Sequence, residues 1–459
     1  MEIKLSNDQQ NGLNTILEWL HTGKQRVCLL QGKPGTGKTT LLKQLHNYYK
    51  QHTIYTAPTN KATKVLKGMI ETEDYKPKFC TIYSLLGLQL DSSDEIQTVV
   101  VGNEDVDLST VSLVIIDEAF MINSQLKSFI DMVLDDNPNL KVLFVGDEFQ
   151  LPPVKEAFSP IKDYFKANRN PSIMLEQVMR HSGNILDCVN ELREAISFPV
   201  NVKLNFLKQF KGASIESEGV TVGSRKLLLP ELAKIAETSP KRFTELADIR
   251  VIAWRNKQVA EYNDYVRHIL FPNTYMHNTW EIGDRITVTK PAKDLDDRVF
   301  ASIDEEGIVT KCSVSQHPYL EGIQVHNISC EMDNNIIKSF RVLHPNSQQA
   351  FDAVLNGIRE EAMQGNRKRW RDYWAMMEAV HWIKHAYAIT AHRAQGSTYK
   401  TVFVDAGDIL LNKNVREKLQ CLNVAISRAK DELFIIYGGY KCHCKRLSLN
   451  TIYLKVIGL

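Results

Sequence analysis

The chain has 459 residues, of which 43% are hydrophobic and 24% charged, a composition typical of a soluble globular protein of about three domains. Its net charge of +2 is too small to indicate a polyanionic partner unless basic groups are concentrated in one groove. No apolar run of about 18 residues and no signal-peptide pattern are present, and eight scattered cysteines favour a reducing cytoplasm over a disulfide framework.

Short apolar, β-rich runs alternate with helical stretches along the first third of the chain. The runs are residues 27–30, 53–55, 113–116 and 141–145, and the clearest helical stretches are 39–50 and 60–70. Similar runs return at 250–254, 401–404 and 432–437. This alternation predicts an α/β fold whose parallel sheets are covered by helices on both faces.

Polar clusters follow four of the early runs, at residues 32–39, 57–59, 117–118 and 146–150. Ligands bind beyond the carboxyl ends of the strands in open parallel sheets. We therefore expect these four clusters to form one site at one edge of one sheet.

Two segments interrupt the alternation. Residues 89–106 are acidic and turn-rich around the short run 97–101, which predicts a small β-hairpin. Residues 283–290, 307–311 and 322–328 are typical of short antiparallel strands in a barrel-like insertion, and a helical stretch at 347–381 follows them. The sequence therefore predicts two α/β units, each interrupted by a smaller module.

The first polar cluster matches the phosphate-binding pattern G-x-x-x-x-G-K-[ST] between a strand and a helix, which is the context that this pattern requires. Glycines let backbone N–H groups and the helix N-terminus face phosphate oxygens. Lys38 would reach the β- and γ-phosphates, and the Thr39 hydroxyl would hold Mg²⁺. The candidate nucleotide-binding residues here are Gly32, Pro34, Gly35, Thr36, Gly37, Lys38, Thr39 and Thr40.

Two carboxylates, Asp117 and Glu118, follow the apolar run 113–116. One carboxylate at a strand end is commonly a turn, but two of them downstream of a phosphate loop match the requirements of NTP hydrolysis. Asp117 would hold Mg²⁺ through water, and Glu118 would orient and polarise the attacking water. The sequence therefore predicts an ATPase.

The remaining motifs resemble superfamily 1B helicases, in particular the RecD/Dda-like branch, over nearly the whole chain. The resemblance is carried by residues 5–9, 117–119, 146–154, 175–180 and 424–429. It implies that Gln9 reads adenine, that Gln150 couples the γ-phosphate to DNA-facing elements, and that Gly396 belongs to the nucleotide site. It also implies that Arg180 and Arg428 reach the γ-phosphate from the second domain.

The resemblance further implies two RecA-like domains, the first at residues 1–88 and 107–178 and the second at 179–275 and 386–459. A pin hairpin would occupy 89–106, and an SH3-like barrel with helices would occupy 276–385. The pin segment contains no aromatic residue that could stack on a base pair. Tyr83 stands where relatives usually have histidine.

The DNA-binding candidates come from the same resemblance and from hydroxyl and amide groups that suit phosphate contacts. From composition alone each would be a helix cap or a polar loop residue. They are Pro58, Thr59, Asn60, Lys64, Thr81, Tyr83, Ser84, Asn256, Thr390, His392, Gln395 and Ser397. Trp370 and Trp374 lie among basic residues and suit stacking on bases, although core packing explains them equally well.

The resemblance implies an ATP- and Mg²⁺-dependent DNA helicase that moves 5′→3′ on single-stranded DNA and unwinds duplex DNA. A translocase without productive unwinding, a nucleotide-switched binding module and an RNA track remain open alternatives. We expect a monomeric or weakly self-associating cytoplasmic protein, of a prokaryote or a virus-infected cell. Its partners would be single-stranded DNA, duplex junctions, and single-strand-binding or replication proteins, with no membrane partner.

Overall fold

The computed structural model describes residues 5–49, 52–91, 98–101, 107–153, 156–168, 170–178, 183–199, 204–209, 219–273, 279–294, 296 and 298–438. Side chains are described in these ranges except at positions 89–91, 98–101, 167 and 168. None of the helices in this part of the chain has the length and apolar character needed to cross a membrane.

The first part of the chain is built around one parallel sheet. Its strands are β1 (Val27–Gly32), β2 (Thr53–Ala57), β3 (Lys78–Thr81), β4 (Leu88–Asp91), β5 (Thr98–Val101), β6 (Leu113–Ile116), β7 (Lys141–Gly146) and β8 (Ser172–Leu175). Six of them form the sheet in the order β3-β2-β6-β7-β1-β8, with every neighbouring pair parallel. β4 and β5 pair antiparallel with each other.

Helices cover both faces of this sheet. They are α1 (Asn7–Thr22), α2 (Lys38–Tyr48), α3 (Asn60–Ile70), α4 (Ile82–Leu85) and α5 (Ser124–Asp136), with 3₁₀ turns at Ala119–Met121 and Pro160–Asn168. Alternate residues of a strand point to opposite faces, so each central strand contributes to two cores. In β6, Val114 and Ile116 belong to one apolar cluster, whereas Leu113 and Ile115 belong to the other.

The second part of the chain contains a second parallel sheet and an antiparallel one. The strands are β9 (Val220–Gly223), β10 (Ile249–Ala253), β11 (Arg285–Val288), β12 (Ala292–Lys293), β13 (Val299–Ala301), β14 (Glu306–Gln316), β15 (Gln324–Met332), β16 (Ile337–Leu343), β17 (Ile383–His385), β18 (Ala388–Thr390), β19 (Tyr399–Asp405) and β20 (Ala429–Ile436). The parallel sheet has the order β18-β10-β19-β20-β9. The antiparallel sheet has the order β16-β15-β14-β11-β17.

The helices of this second part complete both cores. They are α6 (Asn184–Ser197), α7 (Phe206–Gln209), α8 (Arg225–Thr238), α9 (Asn256–Leu270), α10 (Gln348–Met363), α11 (Arg369–Glu378), α12 (Ala391–Ala394), α13 (Ala406–Ile409) and α14 (Val415–Ile426), with 3₁₀ turns at Pro240–Arg242 and Pro345–Ser347. We call the unit around the first parallel sheet the first core unit and the unit around the second parallel sheet the second core unit. The α/β fold with parallel sheets is thereby confirmed.

The insert between β10 and β18 differs in detail from the sequence prediction. The strand expected at 322–328 spans Gln324–Met332, and the helical stretch expected at 347–381 is two helices, α10 and α11. Gly365 lies between the helices with φ +109°, a backbone conformation that glycine adopts without strain and that ends a helix. The SH3-like character of the insert and the domain boundaries stay predictions.

A buried cluster of charges joins both core units to the insert, and Glu306 at the start of β14 lies at its centre. Its carboxylate accepts hydrogen bonds from Lys61 of α3 at 3.2 Å, from Arg250 of β10 at 2.7 Å and from Arg285 of β11 at 3.1 Å. Side chains of Arg250, Arg285 and Glu306 are 1%, 3% and 8% exposed. These cations hold the pKa of Glu306 well below its usual range although burial alone would raise it.

We expect Glu306→Gln to lower the stability of the chain markedly, because it leaves Arg250 buried without its counter-charge. Loss of one partner of a buried ion pair costs about 3–5 kcal/mol. Urea unfolding followed by far-ultraviolet circular dichroism measures the change. The matched control is Glu305→Gln, whose carboxylate pairs with Lys338 at a less buried position. Equal midpoints for the two variants would contradict the central role of Glu306.

Candidate active site

The phosphate-loop pattern forms the turn between β1 and α2. Gly35 and Gly37 have φ values of +82° and +78°, in the left-handed region that favours glycine. Lys38 opens α2, and its ammonium donates to the carbonyls of Gly32 at 2.7 Å and Lys33 at 3.1 Å. The loop, the lysine and the helix N-terminus are therefore arranged as the sequence predicted.

Gln9 joins helix α1 to the phosphate loop. Its side-chain oxygen accepts from the backbone of Ser6 in a capping box, and its Nε2 donates to the Thr36 carbonyl at 2.9 Å. A β-carbon on Gly37 would lie 2.1 Å from that same nitrogen. The contact requires glycine at position 37 and places Gln9 against the phosphate loop, while its role in reading adenine stays a prediction.

Asp117 and Glu118 lie at the end of β6, two strands from β1 with β7 between them. The Asp117 carboxylate accepts from the Glu118 backbone at 2.9 Å, and Glu118 has φ +50°, a left-handed conformation that costs a non-glycine residue energy. Burial and, after it, the adjacent negative charge of Asp117 raise the pKa of Glu118 to about 7. Strain and desolvation at one residue are typical of a functional site.

Lys38 lies within electrostatic reach of these carboxylates. Burial lowers the pKa of Lys38, while the charges of Asp147, Glu118 and Asp117 act in the opposite direction. The carboxylates that follow β6 and β7 and the ammonium of Lys38 after β1 thus lie close together at the ends of three adjacent strands. This confirms that the polar clusters after these strands meet at one edge of the sheet.

Arg428 reaches this point from the second core unit. It follows α14, is 3% exposed, and its guanidinium donates to the carbonyls of Val424 at 3.0 Å and Ser397 at 3.1 Å. Its positive charge lowers the pKa of Glu118 against the effect of burial. Arg180, the other predicted arginine, lies outside the described residues, and its role stays a prediction.

Gln150 follows β7 and is 5% exposed, with no hydrogen-bond partner within the described chain for its Oε1. Helix α14 holds its backbone, because Gln420 Nε2 donates to the Gln150 carbonyl at 2.8 Å. Gly396, in the left-handed region with φ +78°, follows α12 and faces Ala62 of α3 across the two core units. Whether either residue touches nucleotide stays a prediction.

Three of the predicted DNA-binding threonines share one structural role. Thr59, Thr81 and Thr390 are the N-caps of α3, α4 and α12, and each hydroxyl accepts a backbone N–H of the first turn. Each cap lies at the carboxyl end of a parallel strand, β2, β3 or β18. Each of these threonines is therefore a helix cap, as the composition alone suggested, and their contact with DNA stays a prediction.

The other candidates differ in exposure. Asn60, Lys64, Ser84, Asn256 and His392 are exposed, whereas Pro58, Gln395 and Ser397 are buried. Tyr83 is half-buried against the first core, and this burial raises its pKa. Trp370 and Trp374 lie on α11 with parallel rings whose centroids are 6.4 Å apart, and both are half-buried. Mutual packing thus accounts for part of their surface.

Thr39 and Asp117 together offer hard oxygen ligands of the kind that Mg²⁺ prefers. Asp117 lies near enough to Lys38, the residue before Thr39, for its charge to raise the pKa of that lysine. The donor types therefore suit a Mg²⁺ ion, whose remaining ligands would be water and phosphate oxygens, and the assignment of these two residues stays a prediction.

Several residues of this region were missed by the sequence reasoning. They are Lys61 and Glu306 of the charge cluster, Arg193 and Asp147, which form an ion pair, and Gln420 and Asn423 of α14. For Arg193 a signal existed. It lies on the apolar stripe of α6 formed by Ile185, Val189, Leu192 and Ile196, where a cation indicates a buried carboxylate partner.

Comparisons with known proteins agree with this geometry. The AAA domain family matches residues 4–197, and the UvrD-like helicase C-terminal domain family matches residues 385–436. The chain is 24% identical to "Uncharacterized protein R530" of Acanthamoeba polyphaga mimivirus, over 93% of this chain and 98% of that protein. It is 23% identical to "ATP-dependent DNA helicase dda" of Enterobacteria phage T4, over 94% and 99% of the two chains.

Among solved structures, the fold is similar to that of Pif1 helicase from Bacteroides in complex with ADP-AlF3 and ssDNA. The TM-score is 0.53 at 18% identity, and the match covers 96% of each chain. At this identity the likeness concerns the fold.

We expect Gly37→Ala to weaken ATP binding by about fivefold to thirtyfold, because a left-handed conformation costs alanine about 1–2 kcal/mol. The new methyl group would also displace Gln9 from the loop. Titration with a fluorescent ATP analogue measures the effect. Gly68→Ala in α3, where a β-carbon meets nothing within 4 Å, is the control. Unchanged affinity in Gly37→Ala would contradict the role of the Gly37–Gln9 contact.

Proposed function

We propose that this chain is a superfamily 1B helicase of the Pif1/Dda type, an ATP-driven motor that moves 5′→3′ along single-stranded DNA and unwinds duplex DNA ahead of it. The family models that match residues 4–197 and 385–436 and the 23% identity to a phage T4 DNA helicase support the proposal.

The observation that carries the proposal is that Arg428 lies near enough to Glu118, across the two core units, for its positive charge to act on the Glu118 carboxylate. Glu118 would polarise the attacking water, and Arg428 would stabilise the charge that develops on the transferred phosphoryl group. Because the arginine comes from the second core unit, hydrolysis and the relative position of the two units are coupled. A nucleotide switch without turnover does not require this arrangement.

The other residues of the site take complementary roles. Lys38 and the N–H groups of the phosphate loop would bind the β- and γ-phosphates, and Gln9 would face the adenine. Thr39 and Asp117 would hold Mg²⁺, which supplies positive charge against the phosphates when bound. Arg180 is proposed as a second arginine at the γ-phosphate on the ground of the family resemblance.

The proposed DNA track runs along the strand ends that the nucleotide site does not use. In the first sheet these are β2 and β3, which carry Thr59 and Thr81, and in the second they are β10 and β18, which carry Asn256 and Thr390. In both sheets the two strands lie together at one edge. Helix N-termini there suit phosphate oxygens, whatever the base sequence.

The test is ATP turnover with and without single-stranded DNA, together with unwinding of duplexes that carry a 5′ or a 3′ tail. Stimulated turnover with unwinding from the 5′ tail alone is the expected result. Stimulation without unwinding would favour a translocase, which the absence of an aromatic residue in segment 89–106 makes a specific alternative. Stimulation by RNA in place of DNA would reassign the track, and no stimulation would contradict the motor.

We expect Lys38→Ala to abolish ATP hydrolysis, because the ammonium opposite the β- and γ-phosphates is lost. Steady-state phosphate release measures this effect. Lys43→Ala, on the same helix beyond the loop, is the matched control and should retain activity. Normal turnover in Lys38→Ala would contradict the assignment of the phosphate loop.

We expect Arg428→Ala to slow hydrolysis at least about a hundredfold while DNA binding is retained, in line with an arginine that acts at the γ-phosphate. Arg428→Lys should also be slow, since an ammonium lacks the planar guanidinium fork. Fluorescence anisotropy with labelled single-stranded DNA reports binding separately. Wild-type turnover in both variants would remove Arg428 from the site.

A further inference from the structure

Arg193 of α6 forms a buried ion pair with Asp147, the residue that directly follows β7. Its Nη1 lies 2.8 Å from Oδ1 and 2.7 Å from Oδ2 of the carboxylate. The two side chains are 9% and 1% exposed. The pair connects the second core unit to the strand between β1 and β6, whose ends carry the phosphate loop and the two catalytic carboxylates.

The segment after Asp147 is attached to the second core unit at further points. The Arg193 guanidinium lies over the Phe149 ring, 4.0 Å from its centroid. Asn423 of α14 donates to the Phe149 carbonyl at 3.0 Å. Phe149 and Leu151 pack against the apolar core of the second core unit. By contact, Asp147, Phe149, Gln150 and Leu151 therefore belong to the second unit, whereas Glu148 pairs with Lys162 of the first unit.

The same two helices, α6 and α14, also approach the nucleotide site directly. Asn190 of α6 accepts a hydrogen bond from Lys33 of the phosphate loop at 2.8 Å. Arg428 directly follows Ser427, the residue that caps the C-terminus of α14. A displacement of the second core unit would thus move residues 147–151 and Arg428 together.

We propose that Arg193 is a positioning residue that anchors residues 147–151 to the second core unit through Asp147, and that this anchor transmits ATP hydrolysis to movement along the track. The inference rests on the proposed function. It assigns to Arg193 no contact with nucleotide or DNA. Asp147, the partner of Arg193 in the ion pair, carries a negative charge that raises the pKa of Lys38. The ion pair and the phosphate loop are therefore linked electrostatically.

A coupling role predicts a specific kinetic pattern. Without the anchor, ATP would still bind to the phosphate loop, because Lys38 and the N–H groups of the loop belong to the first core unit. The steps of the ATPase cycle that require both core units would become slower. The turnover number with saturating single-stranded DNA should fall, and the KM for ATP should stay nearly unchanged.

The experiment must separate coupling from folding. Arg193→Met alone would leave the Asp147 carboxylate buried without a counter-charge and would destabilise the chain. The double variant Asp147→Asn with Arg193→Met removes both charges together. The control is the double variant Asp296→Asn with Arg298→Met, which removes an exposed pair whose side chains are 74% and 79% exposed.

We expect the Asp147→Asn, Arg193→Met variant to unfold close to the wild-type midpoint and to retain the KM for ATP within about twofold. Its DNA-stimulated turnover number should fall about 5–150-fold, the range that couplings between sites span. The control should match the wild type. Wild-type turnover in the double variant would overturn the proposal and leave the pair a structural contact.

Arg193→Lys decides the matter if the double variant fails to fold. It keeps a positive charge beside Asp147 but lacks the planar group that lies over Phe149. A folded Arg193→Lys protein with reduced stimulated turnover would support the anchor, and one with wild-type turnover would overturn it. Absence of DNA stimulation in the wild-type protein would instead contradict the proposed function, so the two failures are distinguishable.

Discussion

The buried carboxylate of Glu306 is the interaction on which the arrangement of the whole chain depends. Three cations from three places meet it, Lys61 from the first core unit, Arg250 from the second and Arg285 from the insert. A buried charge is tolerated only where opposite charges accompany it. Arg250 of the second core unit is therefore compensated by the insert, and Lys61 adds a contact from the first core unit.

The candidate residues for nucleotide binding and for DNA binding follow different strands of the two sheets. The nucleotide candidates follow the central strands β1, β6 and β7, whereas the track candidates lie at one edge of each sheet. Phosphate transfer would occur where Glu118, held in a strained left-handed conformation, meets the charge of Arg428. Coupling between the two regions would pass through residues that touch both units, among them the buried ion pair of Asp147 with Arg193.

Local sequence was sufficient wherever a function depends on neighbouring residues. The phosphate loop consists of a strand, two left-handed glycines and a helix N-terminus within one short stretch. Its pattern can therefore be recognised without knowledge of tertiary contacts. The apolar runs that ended in polar clusters likewise became the central strands. By contrast, β8, β9 and β18 carry few residues and weak patterns, and pairing with neighbouring strands rather than propensity makes them strands.

The sequence by itself therefore determined the α/β class, the phosphate loop, the positions of Asp117 and Glu118 after a strand, and the resemblance to superfamily 1B helicases. It did not reveal that Lys61 pairs with Glu306 or that Arg193 pairs with Asp147. Nor did it reveal that Gln420 and Asn423 donate hydrogen bonds to the backbone after β7. Only the tertiary structure decided these contacts. The physical reason is that a charged or amide side chain is equally compatible with solvent and with a buried partner, and the choice depends on a surface from a distant part of the chain.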